Sequence, residues 1–437
     1  MLVQSECIMS TVNYIKFQED KAFHKNIGNI ISDTGKDTMV MANQIYDRIY
    51  QGVFGLGIKA MPAGGPEVIS GAHALDRLCE ILEKEGKKHP MIVTGPRIVK
   101  SDFFRNACEK LTEYSLFSEV RPDPDIETVE KIAAMYTEES CDCFVAIGGG
   151  SNMDAAKAAS ARIARPDKTL QEMGGTLRVR KKTPLFIAVP TTAGTGSECT
   201  VAAVISDGET HHKYAINDFV LCPDYAILDP VLTVSLPPAL TATTGMDALT
   251  HAVEAYLNKP YHRRETPGQC REAVRTILHD LPVAYAKPDD MKARQEMLFA
   301  SYKAGLAFTT ACVGNVHAIA HTIGGLYHVP HGLANAVILP IVLEDYGRKA
   351  ERPLAELARF AHIAAGTDQA CANAFIQKIR DMNRQFDIPD HIEGISESDL
   401  DQMAEWADKE ANPLYPVPVI YDREHFKRII RKVGQLD

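Results

Sequence analysis

Cys143-Phe144-Val145-Ala146-Ile147-Gly148-Gly149-Gly150-Ser151-Asn152-Met153-Asp154-Ala155-Ala156-Lys157 passes from an unbroken apolar run, through consecutive glycines, into an alanine-rich segment. The first part reads as a short buried strand and the last as a helix, with almost no loop between them. Glycines at such a junction let a pyrophosphate approach the backbone, and the start of the helix offers it unpaired N–H groups and partial positive charge. The run is not the G-x-G-x-x-G fingerprint, and a tight strand-to-helix turn accounts for bare glycines about as well. Its place at the carboxyl end of a strand favours the phosphate reading.

Outward from this stretch the same alternation recurs. The pattern predicts helices over 72–85, 101–114 and 126–138, a buried strand over 91–94, a second near 117–120 and a third over 185–189. Strands alternating with helices at this interval imply a parallel sheet wound on both faces. The strand at 185–189 leads into Pro190-Thr191-Thr192-Ala193-Gly194-Thr195-Gly196-Ser197-Glu198. That run of hydroxyls and small residues suits either a cofactor groove or a solvated loop. It lacks the Gly-Lys-Ser/Thr ending of a nucleotide-triphosphate loop. Lys213, after the acidic turn Asp207-Gly208-Glu209, reads as a lone exposed cation unless the fold brings it to a ligand.

From Pro237 onward the periodicity is helical, with helices expected at 238–257, 267–280, 290–310, 313–326, 332–346, 353–364, 367–384, 398–409 and 422–433. Ser398-Asp399-Leu400-Asp401 has the form of a helix-starting box. Asp247 and His251 stand four residues apart on the first of these helices, and His317 and His321 repeat that spacing. Four residues place two side chains on one helix face, one turn apart, as two ligands of one cation require. His331 follows a Gly-rich, Pro-containing turn that can fold back toward them. One carboxylate and up to three imidazoles suit iron(II) or zinc better than magnesium or calcium, which prefer oxygen shells. No closely spaced cysteines form a structural zinc site, so the metal would be catalytic. Any one of these histidines alone would read as a satisfied core residue.

The chain's 437 residues exceed one ordinary core, and two domains plus additions are expected. A net charge of −10 argues against nucleic acid or an anionic membrane as the main partner. No apolar run reaches a membrane span, and Met1 to Ser10 lacks the form of a secretion signal. The 10 cysteines form no paired framework, and a reducing cytoplasm is expected. Residues 1–53 read as an extension with one amphipathic helix, capped by Asp37 and striped by Met39, Ala42, Ile45, Ile49 and Val53. Packing of that stripe on the main body or a second subunit is preferred over a targeting role.

Gly148 to Ser151 with Asp154 and Lys157, Pro190 to Glu198, Gly245 to Tyr256, and His317 to Gly332 together resemble the signatures of the iron-containing (group III) alcohol dehydrogenases. The resemblance runs from about residue 67 to the C-terminus. It implies an α/β N-terminal dinucleotide-binding domain with a parallel sheet (54–236), an all-α C-terminal metal-binding domain (237–437), and a site in the cleft between them. It also implies a metal-dependent hydride transfer between NAD(P)(H) and a small alcohol or aldehyde; charge and hydrophobic content are those of a soluble globular protein, and a homodimer or higher homo-oligomer is expected. Among the histidines it selects Asp247, His251, His317 and His331 as ligands of Fe(2+), with Zn(2+) as the alternative, and leaves His321 near the substrate as a proton relay. Spacing alone leaves His317 and His321 equally placed. Family cofactor contacts carry over to Gly149, Gly150, Ser151, Asp154, Thr191, Thr192, Thr200, Val204 and Lys213.

Three positions depart from the family pattern. Gly95 stands where NAD-preferring members carry an Asp, which leaves room for a 2′-phosphate that Arg97 can pair, so NADP(H) is favoured over NAD(H). Asp123 replaces a frequent Asn and adds a negative charge near the cofactor, weakening that preference. His262-Arg263-Arg264-Glu265 replaces a Thr-Asp helix start, and reads as a surface turn or as a basic cluster for an anionic substrate. Two rival functions remain, a metal-dependent lyase or cyclase resembling dehydroquinate synthase and a non-catalytic metal-binding assembly subunit.

Overall fold

The structure is a computed structural model that describes residues 36–60, 64–206 and 213–436, with side chains from residue 41 onward. The capping role of Asp37, the stripe position Met39 and the acidic turn at 207–209 fall outside the described side chains.

Strands β1 (Glu67–Ser70), β2 (Pro90–Val93), β3 (Ser115–Phe117), β4 (Cys143–Gly148), β6 (Leu185–Pro190) and β9 (Tyr225–Leu228) form one wholly parallel sheet, in the order β1-β9-β6-β4-β2-β3. Strands β5 (Gly175–Thr176), β8 (Lys213–Asn217) and β7 (Ala202–Ser206) make a second, smaller sheet. Neither that sheet nor β9 is expected from the sequence. Strand β5 is only two residues long, too short for any period to register.

The central strand explains its own composition. Phe144 and Ala146 enter the core on one face, and Cys143, Val145 and Ile147 enter the core on the other. A strand covered on both sides is apolar throughout. Burying Phe144, Val145 and Ile147 contributes roughly 1.5–3 kcal/mol each.

Helices α2 (Leu78–Lys84), α3 (Asp102–Cys108), α4 (Ile126–Glu138), α5 (Gly150–Ala164) and the short α6 (Leu170–Met173) accompany the strands. The helix expected over 72–85 begins as a 3-10 turn, Ala74–Arg77, and the one expected over 101–114 stops at Cys108.

The helical half comprises α7 (Pro238–Leu257), α8 (Thr266–Ala286), α9 (Met291–Ala311), α10 (Asn315–Tyr327), α11 (His331–Tyr346), α12 (Arg348–Phe360), α13 (Asp368–Gln385), α14 (Leu400–Ala411) and α15 (Arg423–Gly434). All the helices expected here are present, so the α/β-then-all-α architecture holds. Helix α12 starts at Arg348 rather than 353, because Gly347 takes φ 48° and breaks the preceding helix there. The expected box at Ser398 is displaced. Ser396 caps a 3-10 turn over Glu397–Asp399, and α14 begins only after it.

The first described helix, α1 (Lys36–Ala60), departs most from expectation, running seven residues past position 53. Its apolar stripe does not pack on the body: Ile45, Ile49 and Val53 are exposed, as are Met41 and Leu56. Ile58, near the helix's C-terminal end, enters the helical core with Phe54 packed against it, and the anchor one turn before Phe54 is polar. Gln51 Nε2 donates to the Pro413 and Tyr415 carbonyls at 3.1 and 2.9 Å, and Arg48 donates to the Pro418 carbonyl at 3.1 Å. The run Pro413-Leu414-Tyr415-Pro416-Val417-Pro418 is poor in N–H donors, so its carbonyls are left for side-chain donors. The basic turn at 262–265 follows Pro260 and Tyr261, which lie against Gly55 and Phe54 of α1. The His262 ring bonds the Ala255 carbonyl at 2.9 Å. Asp247 and Leu257 are about 15 Å apart along α7 at about 1.5 Å per residue, and the turn lies beyond Leu257. His262 and Arg263 are half-buried and Arg264 and Glu265 exposed, so the cluster forms a surface turn at the far end of α7 from Asp247.

Candidate active site

The chain leaves β2 toward β3 on one side and leaves β4 toward β6 on the other, so the strand order reverses between β2 and β4. Open parallel sheets bind ligands outside the carboxyl ends of the strands at such a reversal. Gly95 and Gly148 to Ser151 stand at these two ends. A Cβ on Gly95 would lie 3.5 Å from Asn152 Oδ1 in the first turn of α5, so both loops border one crevice. Gly148 takes φ 154°, and a Cβ there would meet Asn152 Nδ2 at 1.8 Å. The glycine is required for the strand to turn directly into the helix. Thr192, from the loop after β6, lies 3.5 Å from the Cβ position of Gly149, and Thr191 N–H donates to the Gly148 carbonyl at 2.9 Å.

Behind this loop sits Lys157, fully buried. Its ammonium lies 2.6–3.2 Å from five oxygens of Ser197, Thr200 and Ala202. Asp154 completes the clamp, accepting from Ser197 Oγ at 2.8 Å and from the Val204 N–H at 3.3 Å. Asp154, Thr200 and Val204, expected at the cofactor, are thus engaged in holding the loop's shape. Burial raises the Asp154 carboxyl to about 6 against the pull of Lys157. Lys213 is not a lone cation, since its ammonium lies 2.6 Å from Asp123 Oδ1.

Across the crevice, Asp247 on α7, His317 on α10 and His331 on α11 each present one ligand atom, and these atoms all lie within 4.8 Å of one another. The close approach of α7 and α11 depends on Gly332, whose Cβ would fall 2.4 Å from the Thr243 carbonyl oxygen. His251 lies outside the group of three. Its ring stacks on His317 at 4.5 Å and on Phe308 at 4.2 Å, and its Nδ1 is buried without a hydrogen-bond partner. The backbone of Gly194, in the loop after β6, is in hydrogen-bonding reach of the same ring, so the two sides of the crevice meet here.

Asn335, one turn after His331, was not singled out from the sequence, although it repeats the four-residue spacing. Its Nδ2 donates to Asp247 Oδ1 at 2.7 Å and lies 3.1 Å from both His317 Nε2 and His331 Nε2. Three lone pairs converge on one small electropositive group, which is the arrangement a cation requires. The donor set therefore fits a divalent metal held by Asp247, His317 and His331, with His251 adjacent.

Burial, and then the neighbouring histidines, hold His317 well below the ordinary imidazole range. Burial also lowers His251, and it takes His331 to about 4. The imidazoles are therefore neutral at physiological pH, with lone pairs available to a metal.

Glu254 is a second residue the sequence reading passed over, three positions after His251. Its Oε2 accepts from His317 Nδ1 at 2.5 Å and its Oε1 from the Val316 N–H at 2.8 Å, which directs the Nε2 lone pair of His317 toward the donor triangle. Burial pushes the Glu254 carboxyl up to about 8. Such outer partners typically hold metal affinity by about 10–100-fold. Glu254→Gln is expected to weaken metal binding by a factor in that range, read by competition with a chelator; unchanged affinity would show that His317 needs no orienting partner.

His321 stands beside the triangle, stacked on His331 at 5.1 Å, and its Nδ1 is 2.8 Å from Glu410 Oε1. Burial lowers its pKa, but the charge and hydrogen bond of Glu410 outweigh that and leave it raised. Tyr415 donates to the same carboxylate oxygen at 3.0 Å. Glu410 lies 89 residues beyond His321, and no local spacing reveals the pair.

Residues 65–230 match the family described as iron-containing alcohol dehydrogenase, and residues 241–434 match its C-terminal family. The NADPH-dependent butanol dehydrogenase of Clostridium saccharobutylicum is 34% identical over 343 residues, 76% of this chain and 87% of that one. The 1,3-propanediol dehydrogenase of Klebsiella pneumoniae is 36% identical over 358 residues, covering 80% and 90%. Among solved structures, the alcohol dehydrogenase from Oenococcus oeni superposes with a TM-score of 0.79 at 31% identity, over 84% of this chain and 98% of that one. These matches span both halves of the molecule and include the crevice and the donor triangle; none points to a lyase or cyclase. The chain belongs to the iron-containing alcohol dehydrogenase family.

Proposed function

We propose that the chain interconverts a small alcohol and its aldehyde or ketone, with iron(II) as its metal and NADP(H) preferred over NAD(H). The observation that carries the reading is the convergence of Asp247, His317 and His331 on one point, beside a histidine that touches the loop lining the phosphate turn. Asp247, His251, His317 and His331 are the residues that would hold the ion, which when bound acts as a Lewis acid toward the substrate oxygen. Hydride chemistry belongs to the nicotinamide.

The chain's own contribution is placement. The N–H groups of Gly149, Gly150 and Ser151 at the start of α5 receive the diphosphate, and Thr191 and Thr192 line its path. Gly95 leaves open the position where a larger side chain would meet a 2′-phosphate, and the exposed Arg97 is available to pair with it. His321, oriented through Nδ1 by Glu410, exchanges a proton with the substrate oxygen through its other nitrogen. The described cysteines are all free, which supports a reducing compartment such as the cytoplasm.

The test is anaerobic purification with added iron, followed by NADPH and NADH oxidation with short aliphatic, hydroxylated and anionic aldehydes. Stoichiometric oxidation, faster with NADPH, is expected. Metal-filled protein that turns over none of them would sink the reading. In the same assay His321→Ala is expected to keep its metal and lose turnover by roughly 100-fold, the usual worth of a positioned acid–base group. Loss of metal instead would make His321 a ligand.

A further inference from the structure

The Asp123–Lys213 ion pair lies across the entrance of the crevice. Asp123 sits in the turn after β3, at φ 56°, and its side chain is 53% exposed. Lys213 begins β8 and is only 17% exposed. Three contacts put β7 and β8 over the start of α5. Ser206 of β7 pairs with Lys213, it bridges to Asp125 beside the Asp123 turn, and the Val204 N–H reaches Asp154 of α5. From there the ammonium extends to the opposite wall, 3.9 Å from the Cβ position of Gly324 on α10. Lys213 thus stands between the phosphate turn and the donor triangle, where a dinucleotide reaching from one to the other must pass.

We infer that Asp123 is a built-in competitor for the cofactor's diphosphate: it holds Lys213 in the free enzyme, and the dinucleotide must draw the ammonium's charge and N–H groups away from it. The inference rests on the dinucleotide reading above and adds a residue that tunes it. A carboxylate and a phosphate both draw on the same ammonium, and the positive charge and N–H groups already taken up by Asp123 are not fully available to the phosphate. Once displaced, Asp123 still faces an incoming group of like charge. The pair is partly exposed, so the penalty is modest and falls with salt.

The experiment is equilibrium binding of NADPH and of NADH, followed by nicotinamide fluorescence without substrate. Asp123→Asn keeps the shape of the side chain, and asparagine tolerates a positive φ as readily as aspartate. Asp123→Ser provides a second variant that removes the charge. Both are expected to bind each cofactor roughly fivefold more tightly at low salt, about 1 kcal/mol at about 1.4 kcal/mol per tenfold. Most of that gain is expected to vanish when Lys213→Met is also present. Unchanged or weaker binding in both variants overturns the inference. So does an equal gain without Lys213, which would leave simple repulsion and no competition for the ammonium. Wild-type protein that binds neither cofactor defeats the dinucleotide reading itself, a result distinct from a wild type that binds and variants that do not differ.

Discussion

Asp247→Ala is expected to emerge from iron-supplemented purification without bound metal and with alcohol oxidation reduced on the order of 1,000-fold. The size follows from losing several kcal/mol of Lewis-acid stabilisation, at about 1.4 kcal/mol per factor of ten in rate. Asp247 is the only carboxylate in the donor triangle, and its Oδ1 lies 3.5 Å from His331 Nε2 and 3.8 Å from His317 Nε2. Without it the site offers neutral nitrogens alone. Asp247→Asn separates charge from packing, since it preserves shape at a position only 2% exposed. It should fold as the wild type does while still losing most of its metal. Elemental analysis alongside the rate makes the check, and full iron occupancy in both variants would mean that the ion is held elsewhere.

The second large effect is on stability. Lys157→Met is expected to destabilise the chain by about 3–5 kcal/mol, the range for removing one partner from a buried charged cluster. Five oxygens within 2.6–3.2 Å of the ammonium would lose their donor, and Asp154 would lose its neighbouring positive charge. Methionine fills nearly the same volume, so the loss reads the hydrogen bonds rather than a cavity. The urea midpoint measures it. A shift below about 1 kcal/mol would mean that the loop over 190–202 holds its shape without the clamp, since that is roughly the net worth of one ordinary neutral hydrogen bond and less than one to a charged group.

The distance over which each feature is encoded explains what could be read in advance. The strand at Cys143 to Gly148 is apolar at every position because both faces are covered, and that leaves a run visible without any partner in hand. Asp247 with His251 and His317 with His321 stand out because one helical turn brings each pair together. Asn335 and Glu254 carry the same kind of signal, at four and three residues from a ligand, but an amide and a lone carboxylate on apolar helices look like ordinary capping or surface groups. The stripe of α1 was legible as a stripe, but its partner was not. Which face docks was decided by Ile58 and Phe54 reaching the helical core and by Gln51 and Arg48 finding carbonyls more than 360 residues away in a proline-rich turn.

By itself the sequence determined the α/β-then-helical order, the glycine turn at the carboxyl end of β4 and the residue types able to hold a metal. Periodicity, backbone freedom and ligand chemistry are all local properties. Only the folded chain decided that three of the four expected ligands share one point with Asn335 between them, and that His251 stacks beside them. It likewise decided that Glu410 reaches His321, and that Lys213 is held by Asp123 at the crevice. Each of these depends on the separation of side chains from distant helices and loops, and that separation is set by how closely their backbones pack, as Gly332 against Thr243 illustrates.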